Sequence, residues 1–313
     1  MPSYAIRGGG RKKGSPLRNN RHTDGVITGH AGKECRLSMG IVRNAEVTEH
    51  TLPLSVAIIT QNEGHNLGDC LGSLSFAAQI VVVDSGSTDG TLTIAQEYGC
   101  DIYNEEWHGF GRQKQIAIDR CREDWILLLD ADERIPPETA AIIADIISSA
   151  REDIGGYSFR RKNIFKDRWI RHLGWWPDDV VRLFRRGKGS MTDAMVHEAV
   201  TVRGPVKKLD AVITHMTESD LKRILLKIDH YSSLGAQQAY EEGKRATVGG
   251  AALRAVITFV HNFFVRGGCL EGRQGLLLSA TDAVNKFFKY AKLAEWAREH
   301  PNTDPTRPTG VKD

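Results

Sequence analysis

The chain has 313 residues, of which 41% are hydrophobic and 26% charged, so it is long enough to bury the core of at least one soluble domain. The net charge is only +3, which excludes a protein that binds polyanions over its whole surface, and no nucleic-acid partner is expected. The basic excess lies at the amino end, where residues 1–49 hold nine Lys and Arg against four Asp and Glu. We predict that residues 1–51 form a disordered basic tail, either solvated or in contact with an anionic partner.

The cysteines do not indicate a zinc site or a disulfide framework, because none form a CxxC pair and their number is odd. They are Cys35, Cys70, Cys100, Cys121 and Cys269. This usage is typical of a reducing compartment. The amino end carries no apolar stretch like that of a signal peptide, and no uninterrupted run of about 18 apolar residues predicts a bilayer-spanning helix.

Strand and helix patterns alternate from residue 52 onward. Apolar runs predict strands at 55–60, 80–84, 101–104 and 125–130, with helices between them. Because such strands are apolar along nearly their whole length, we predict an α/β fold with a mostly parallel sheet flanked by helices. Ligands of such sheets bind at the carboxyl ends of the strands, which is where two acidic groups are expected.

The pattern changes beyond residue 136. Runs at 155–165, 180–186, 195–202 and 208–214 predict a mixed β extension, and the chain from Glu218 onward reads as helical. We therefore expect a catalytic domain at 52–216, a helical region at 217–300 and a flexible tail at 301–313.

Three carboxylates follow the strand at 125–130 within four residues: Asp130, Asp132 and Glu133. Their mutual repulsion lowers stability unless a cation offsets it. Mg²⁺ and Mn²⁺ take oxygen ligands and bridge to substrate phosphates. The alternative is a charged loop that caps a helix, but the position after a buried strand and downstream of Asp84 favours a metal site.

Three motifs occur in an order that resembles glycosyltransferase family 2, whose fold is the Rossmann-like GT-A fold. They are Ile59-Thr60-Gln61-Asn62-Glu63, then Val82 to Gly90 (VVDSGSTDG), then Leu128 to Glu133 (LLDADE). The downstream segments 174–178, 182–184 and 196–198 resemble the branch that builds the lipopolysaccharide inner core, whose members are often β-glucosyltransferases. The resemblance implies a metal-dependent, inverting transfer of a hexose, glucose by analogy, from a UDP-sugar donor to lipopolysaccharide core or a related lipid-linked glycan.

The resemblance also implies roles for matching positions. Asp132 would hold Mg²⁺ or Mn²⁺ on the donor diphosphate, with Asp130 at the ribose or the metal shell. Asp84 would contact the uracil or the ribose, and Lys114 would reach the nucleotide or the sugar. The remaining nucleotide-sugar residues are Thr60, Asn62, Glu63 and Ser85.

An inverting transfer needs a base that removes the acceptor proton, and a carboxylate is the usual group. Glu198 is the candidate base, with Asp178 and Asp179 as rivals and an ordinary strand salt bridge as the competing interpretation. His215 is either a further metal ligand or structural, and Arg182 either pairs with phosphate or makes a salt bridge. Trp175 and Trp176 stack on sugar or pack in the core.

Aromatic residues with basic neighbours recur between 254 and 293, which is typical of a helix in a membrane interface. The alternative is a helical pair packed on the catalytic domain. We expect a cytoplasmic protein, peripheral on the inner face of the cytoplasmic membrane. Three other functions stay open at this point: transfer to a polyprenyl phosphate, nucleotidyl transfer, and a non-enzymatic protein that binds through its basic tail.

Overall fold

A computed structural model describes residues 51–149, 153–192, 199–217 and 220–299. The predicted tails therefore lie almost wholly outside the described residues, as does Glu198. The first part of the described chain alternates strands and helices, as the apolar pattern predicts. These elements are β1 (Leu52–Thr60), α1 (Gly64–Gly72), β2 (Ala77–Asp84), α2 (Thr91–Glu97), β3 (Asp101–Asn104), α3 (Phe110–Asp119), β4 (Trp125–Asp130), β5 (Glu133–Arg134) and α4 (Pro137–Ser148).

The second part supplies the strands of the predicted β extension and then a helical region. Its strands are β6 (Gly156–Phe165), β7 (Arg168–Trp169), β8 (Asp179–Arg185), β9 (Gly189–Met191), β10 (Val200–Val202) and β11 (Val206–Met216). Its helices are α5 (Leu221–Glu241), α6 (Val248–Val260) and α7 (Gly272–Glu299), with a π-helical turn at His261–Val265 and a 3₁₀ turn at Gly268–Glu271.

One sheet of nine strands organises the molecule, in the order β3-β2-β1-β4-β8-β6-β11-β5, with β7 paired to β6. The strands β3, β2, β1 and β4 are parallel, whereas β8 runs antiparallel to both β4 and β6. Since β6 and β11 are parallel to each other, they share the direction of β1 and β4. The carboxyl ends of six strands therefore meet at one edge of the sheet, and the predicted fold class is confirmed.

Both faces of the sheet are buried because the strands place apolar side chains on alternating sides. In β4, Trp125, Leu127 and Leu129 belong to one core and Ile126 and Leu128 to the other. The first core is closed by α1, α2 and α4, and the second by α3. This double layer fixes the strand ends rigidly, so the polar loops that follow them are held in place.

The helical region has a separate, smaller packing. Leu293 of α7 lies against Ala236 and Ala239 of α5, and Leu278 of α7 reaches a core formed with Phe165 and Leu173. Within the described residues one helical stretch, Val248–Val265, is long and apolar enough to cross a bilayer by length and composition alone, and only 11% of it is buried. Arg254 and His261 interrupt this stretch, so it is not an uninterrupted apolar run, and it lies in the region for which the sequence predicts a membrane-interface helix.

Candidate active site

The carboxyl ends of β1 and β2 are joined through Asp84. Thr60 and Asp84 are in register, and the Thr60 hydroxyl donates to Asp84 Oδ1 at 2.8 Å. Asp84 Oδ2 accepts from the backbone N–H groups of Gly86 and Ser87 at 2.9 and 2.8 Å, and the Ser87 hydroxyl donates to Oδ1. Asp84 is fully buried, so its carboxylate shapes the turn after β2.

The loop after β1 is fastened to this same turn. Asn62 adopts φ 57°, and its Oδ1 accepts from the Thr88 backbone at 2.9 Å while its own N–H donates to Ser87. The Glu63 N–H donates to the Thr91 hydroxyl, and the Ser85 hydroxyl accepts from Gln113 of α3 at 2.9 Å. Two loops and one helix therefore form a single preorganised edge at the predicted nucleotide end.

Asp130 ends β4 between two cations. Lys114 Nζ lies 2.7 Å from Asp130 Oδ1, and Arg182 donates to Oδ2 at 2.6 Å. Burial disfavours the charged form of Asp130, but the attraction of Arg182 and then of Lys114 outweighs it and holds the pKa of this carboxyl far below its usual range. Asp130 is therefore a permanent anion that fixes the position of Lys114.

Glu133 is the fully buried partner of Arg182. The same guanidinium nitrogen that contacts Asp130 lies 2.6 Å from Glu133 Oε1, and Arg161 lies 3.6 Å from that oxygen. Burial opposes the charge of Arg182, yet Glu133 and Asp130 together keep its pKa above the already high ordinary value. Arg182, Glu133 and Asp130 thus form a buried group of charges beneath the site, and this group links β8, β5 and β4.

Asp132 faces His215 across the strand ends of β4 and β11. His215 Nε2 lies 3.2 Å from Asp132 Oδ2, and the other ring nitrogen, Nδ1, lies 2.6 Å from Asn163 Oδ1. The Asn163 amide nitrogen is held by two acceptors, the Trp175 carbonyl at 3.1 Å and an Asp178 oxygen at 3.2 Å. The Asn163 oxygen must therefore face the ring, so Nδ1 carries a proton and Nε2 is the ring nitrogen directed at Asp132.

A carboxylate oxygen and an imidazole nitrogen that lie this close are suited to sharing a cation. Asp132 Oδ1 is buried and has no hydrogen-bond partner among the described residues, so this oxygen too is available. No cluster of three or more potential ligands occurs in the described ranges, so a cation at this place would have Asp132 and His215 as its protein ligands. Mg²⁺ and Mn²⁺ sites with one or two protein ligands are completed by substrate phosphates and water, and the pair fits that chemistry.

A loop before β8 bounds another side of the candidate site. Trp176 packs edge-on against Trp169 at 5.1 Å, whereas Trp175 packs against Phe165 and the small core that includes α7. Trp176 is the better candidate for a sugar platform, and Trp175 has the core role that the sequence left open. A cavity of about 440 Å³ lies nearby. It is lined by His65, Asn66, Ile164, Lys166, Asp167, Met216 and Thr217.

Both rival bases are engaged by cations. Asp178 accepts from Arg161 at 2.8 Å and from Asn163, and Asp179 pairs with Lys208. Glu198, the preferred base, lies outside the described residues, so its role stays a prediction.

Two predicted contacts are seen here only with protein partners. Arg182 is 6% exposed and is held between two carboxylates, so the salt bridge is present and its contact with phosphate stays a prediction. The oxygens of Asp84 accept from protein donors, and its contact with the base or ribose stays a prediction. Asn163 and Arg161 were not predicted, because a lone Asn or Arg within a strand carries no sequence signal.

Fold and site together define an α/β protein with a polar, highly charged site at the carboxyl ends of its parallel strands. The chain belongs to glycosyltransferase family 2, whose model, described as "Glycosyl transferase family 2", matches residues 55–210. The lipopolysaccharide core biosynthesis glycosyltransferase LpsC of Rhizobium meliloti is 33% identical over 81% of this chain and 97% of its own length. An uncharacterised glycosyltransferase of Rickettsia typhi is 25% identical over 80% of this chain and 89% of its own length.

Solved structures give weaker likenesses. Staphylococcus aureus TarS (residues 1–349, in complex with UDP-GlcNAc) is 15% identical with a TM-score of 0.41, over 79% of this chain and 91% of that one. Glucosyl-3-phosphoglycerate synthase of Mycobacterium tuberculosis, in complex with Mn²⁺, UDP and glucosyl-3-phosphoglycerate, is 19% identical with a TM-score of 0.30, over 36% of this chain and 44% of that one. Membership of glycosyltransferase family 2 makes the chain an enzyme. It excludes two of the alternative functions, nucleotidyl transfer and a non-enzymatic protein that binds through its basic tail.

Proposed function

We propose that the protein transfers a hexose from a UDP-sugar to a hydroxyl of lipopolysaccharide core or a related lipid-linked saccharide, with Mg²⁺ or Mn²⁺ held by Asp132 and His215. The proposal rests on the distance of 3.2 Å between His215 Nε2 and Asp132 Oδ2, in a ring orientation that Asn163 sets. The core acceptor is supported by the likeness to LpsC, which covers nearly all of that relative.

Each part of the strand-end edge has a task in this reaction. A divalent cation, when bound, neutralises charge that builds up on the leaving diphosphate. Lys114, positioned by Asp130, supplies a second positive charge beside the same edge. The turn organised by Asp84 and the loop fastened by Asn62 present backbone groups to the nucleotide. These groups are fixed before substrate arrives, so little reorganisation accompanies the transfer.

The acceptor proton must be removed while the nucleotide leaves from the opposite face of the sugar. Glu198 is proposed as the base, and the transfer to a polyprenyl phosphate is the remaining alternative. A phosphate acceptor is already anionic and needs no base. Glu198→Gln therefore separates the two acceptors, because it abolishes transfer to a sugar hydroxyl and is tolerated with a phosphate acceptor.

The donor and metal are tested by calorimetry with UDP-, GDP- and dTDP-sugars in the presence and absence of Mn²⁺. We expect UDP compounds to bind best and the metal to strengthen binding in the wild type. Asp132→Asn removes this metal dependence, whereas Asp145→Asn, at an exposed position of α4, leaves it unchanged. The proposal would be refuted if the affinity for UDP-sugars were the same with and without Mn²⁺ and were unchanged in Asp132→Asn.

A further inference from the structure

The segment between α5 and the 3₁₀ turn has an unusual charge pattern. Residues 243–270 contain no Asp or Glu, and they contain four basic residues. These are Lys244, Arg245, Arg254 and Arg266. Lys244 is paired with Glu242, just before this stretch, and the local positive charge lies on residues that also include the apolar helix Val248–Val265.

The apolar side chains of this segment point away from the protein. Leu253, Ile257, Val260 and Phe264 recur at a spacing that places them on one side of the helix, and Val256 lies beside them. All five are between 45% and 62% exposed. Isolated exposed apolar residues are ordinary, but a continuous stripe of them marks an interaction surface.

The opposite side of the same helix is attached to α7. Ala251 and Asn262 are buried there, and the Asn262 amide donates to Asp282 of α7 at 2.8 Å. The Arg254 guanidinium lies 4.6 Å from the centre of the Tyr290 ring, also on α7. The helix is therefore amphipathic in its setting, with a polar attachment on one side and the stripe on the other.

We infer that the stripe on α6 and the π-helical turn binds an anionic lipid surface, with the helix lying in the plane of the membrane interface. The apolar side chains enter the boundary between headgroups and acyl chains, and the net positive charge of residues 243–270 attracts anionic headgroups. A second copy of this chain is a poor occupant, because it would bring two segments of net positive charge against each other. A spanning arrangement is disfavoured since Arg254 sits midway along the stretch and is held against α7.

The surface is connected to the candidate active site by direct contacts. Leu173 donates its N–H to the Arg266 carbonyl at 2.8 Å, just past the π-helical turn. The Glu271 carboxylate accepts from the N–H groups of Arg171 and His172 at 2.9 and 3.1 Å. The loop held in this way continues to Trp175, whose carbonyl positions Asn163. Lipid binding at α6 would therefore place the acceptor side of the site next to the membrane.

Co-sedimentation of the full chain with vesicles tests the inference without any measurement of activity, so it stands or fails separately from the proposed reaction. Vesicles of phosphatidylcholine alone are compared with vesicles that also contain phosphatidylglycerol. The variant pair Ile257→Ser with Phe264→Ser removes two side chains of the stripe. The matched control pair, Tyr98→Ser with Val206→Ser, removes two side chains that are 47% and 43% exposed elsewhere.

The wild type and the control pair are expected to bind the anionic vesicles equally. The stripe pair is expected to bind at least about tenfold more weakly, because burial of a large apolar side chain contributes more than that factor. Lys244→Gln with Arg245→Gln is expected to weaken binding to the anionic vesicles by about tenfold or more, since each basic residue near such a surface contributes roughly a factor of five. Residues 1–49 are present in every variant, so their contribution cancels in the comparison.

Several results would overturn the inference. Equal binding by the stripe pair and the control pair would show that the stripe does not touch lipid. Equal binding to both kinds of vesicle would remove the requirement for anionic headgroups. A dimer that dissociates only in the stripe pair, seen by sedimentation equilibrium without lipid, would assign the surface to a second copy. Resistance of the membrane-bound protein to extraction at alkaline pH would indicate a spanning helix.

Discussion

Asn163 Oδ1 lies 2.6 Å from His215 Nδ1, and this contact determines which nitrogen of the ring faces Asp132. Because two acceptors hold the Asn163 amide nitrogen, the side chain cannot rotate without loss of both hydrogen bonds. A strand residue held by two hydrogen bonds of its own thus sets the ring orientation of a candidate metal ligand. Partners of this kind affect metal affinity nearly as strongly as the ligands themselves.

Asn163→Leu is therefore expected to weaken Mn²⁺ binding about 10- to 100-fold while Asp132 and His215 are still present. The measurement is a titration of the protein with Mn²⁺ in the presence of UDP, followed by electron paramagnetic resonance. Asn104→Leu, at an exposed position at the end of β3, serves as the control and should bind Mn²⁺ like the wild type. Unchanged affinity in Asn163→Leu would mean that the ring orientation does not matter.

Arg182→Met is expected to lower the free energy of unfolding by about 3–5 kcal/mol, because it leaves Glu133 charged and buried beside Asp130. Urea denaturation followed by circular dichroism measures the change. Arg160→Met is the control, since its partner Asp210 is exposed and the loss of such a pair costs at most about 1 kcal/mol. If the free energy of unfolding fell by the same small amount in both variants, the buried pairing of Arg182 with Glu133 and Asp130 would not stabilise the fold.

Asp84→Asn is expected to weaken UDP binding and to destabilise the fold by about 1–3 kcal/mol, since an amide has one acceptor oxygen where the carboxylate uses two. Calorimetric titration with UDP and thermal unfolding measure the two effects. Asp119→Asn, at an exposed position at the end of α3, should change neither. A variant that loses UDP binding at full stability would instead point to direct contact between Asp84 and the nucleotide.

The contribution of Glu271 should depend on pH. Burial opposes its charge, but hydrogen bonds from the Arg171 backbone, His172 and Arg168 outweigh burial and hold the pKa of Glu271 below its ordinary value. A lowered pKa means that the carboxylate stabilises the fold above the ordinary glutamate range and loses that effect as pH falls through the lowered pKa. The difference in unfolding free energy between the wild type and Glu271→Gln should therefore be largest near neutral pH and shrink in acid. A difference that is constant from neutral to acidic pH would contradict this assignment.

The predicted strand ends show what a local pattern can reveal. Asp84 and Asp130 each close a run of apolar residues with a sharp change in polarity, so the sequence indicates both the strand and its end. The roles of these acids were not visible in the same pattern. Arg182 and Lys114 approach Asp130 from β8 and α3, and no sequence spacing encodes that meeting.

The sequence by itself determined the alternation of strands and helices, the family, and the acids at the strand ends, because each depends on neighbours within a few residues. Only the tertiary structure decided which acids are paired with a cationic side chain and which one faces His215, the second candidate metal ligand. Asp130 is paired with a cation because β8 brings Arg182 to it, whereas Asp132 faces His215 because β11 pairs with β5, the strand that directly follows Asp132. Charges acquire their function from distances across the sheet, and those distances are set when strands far apart in the chain pair in register.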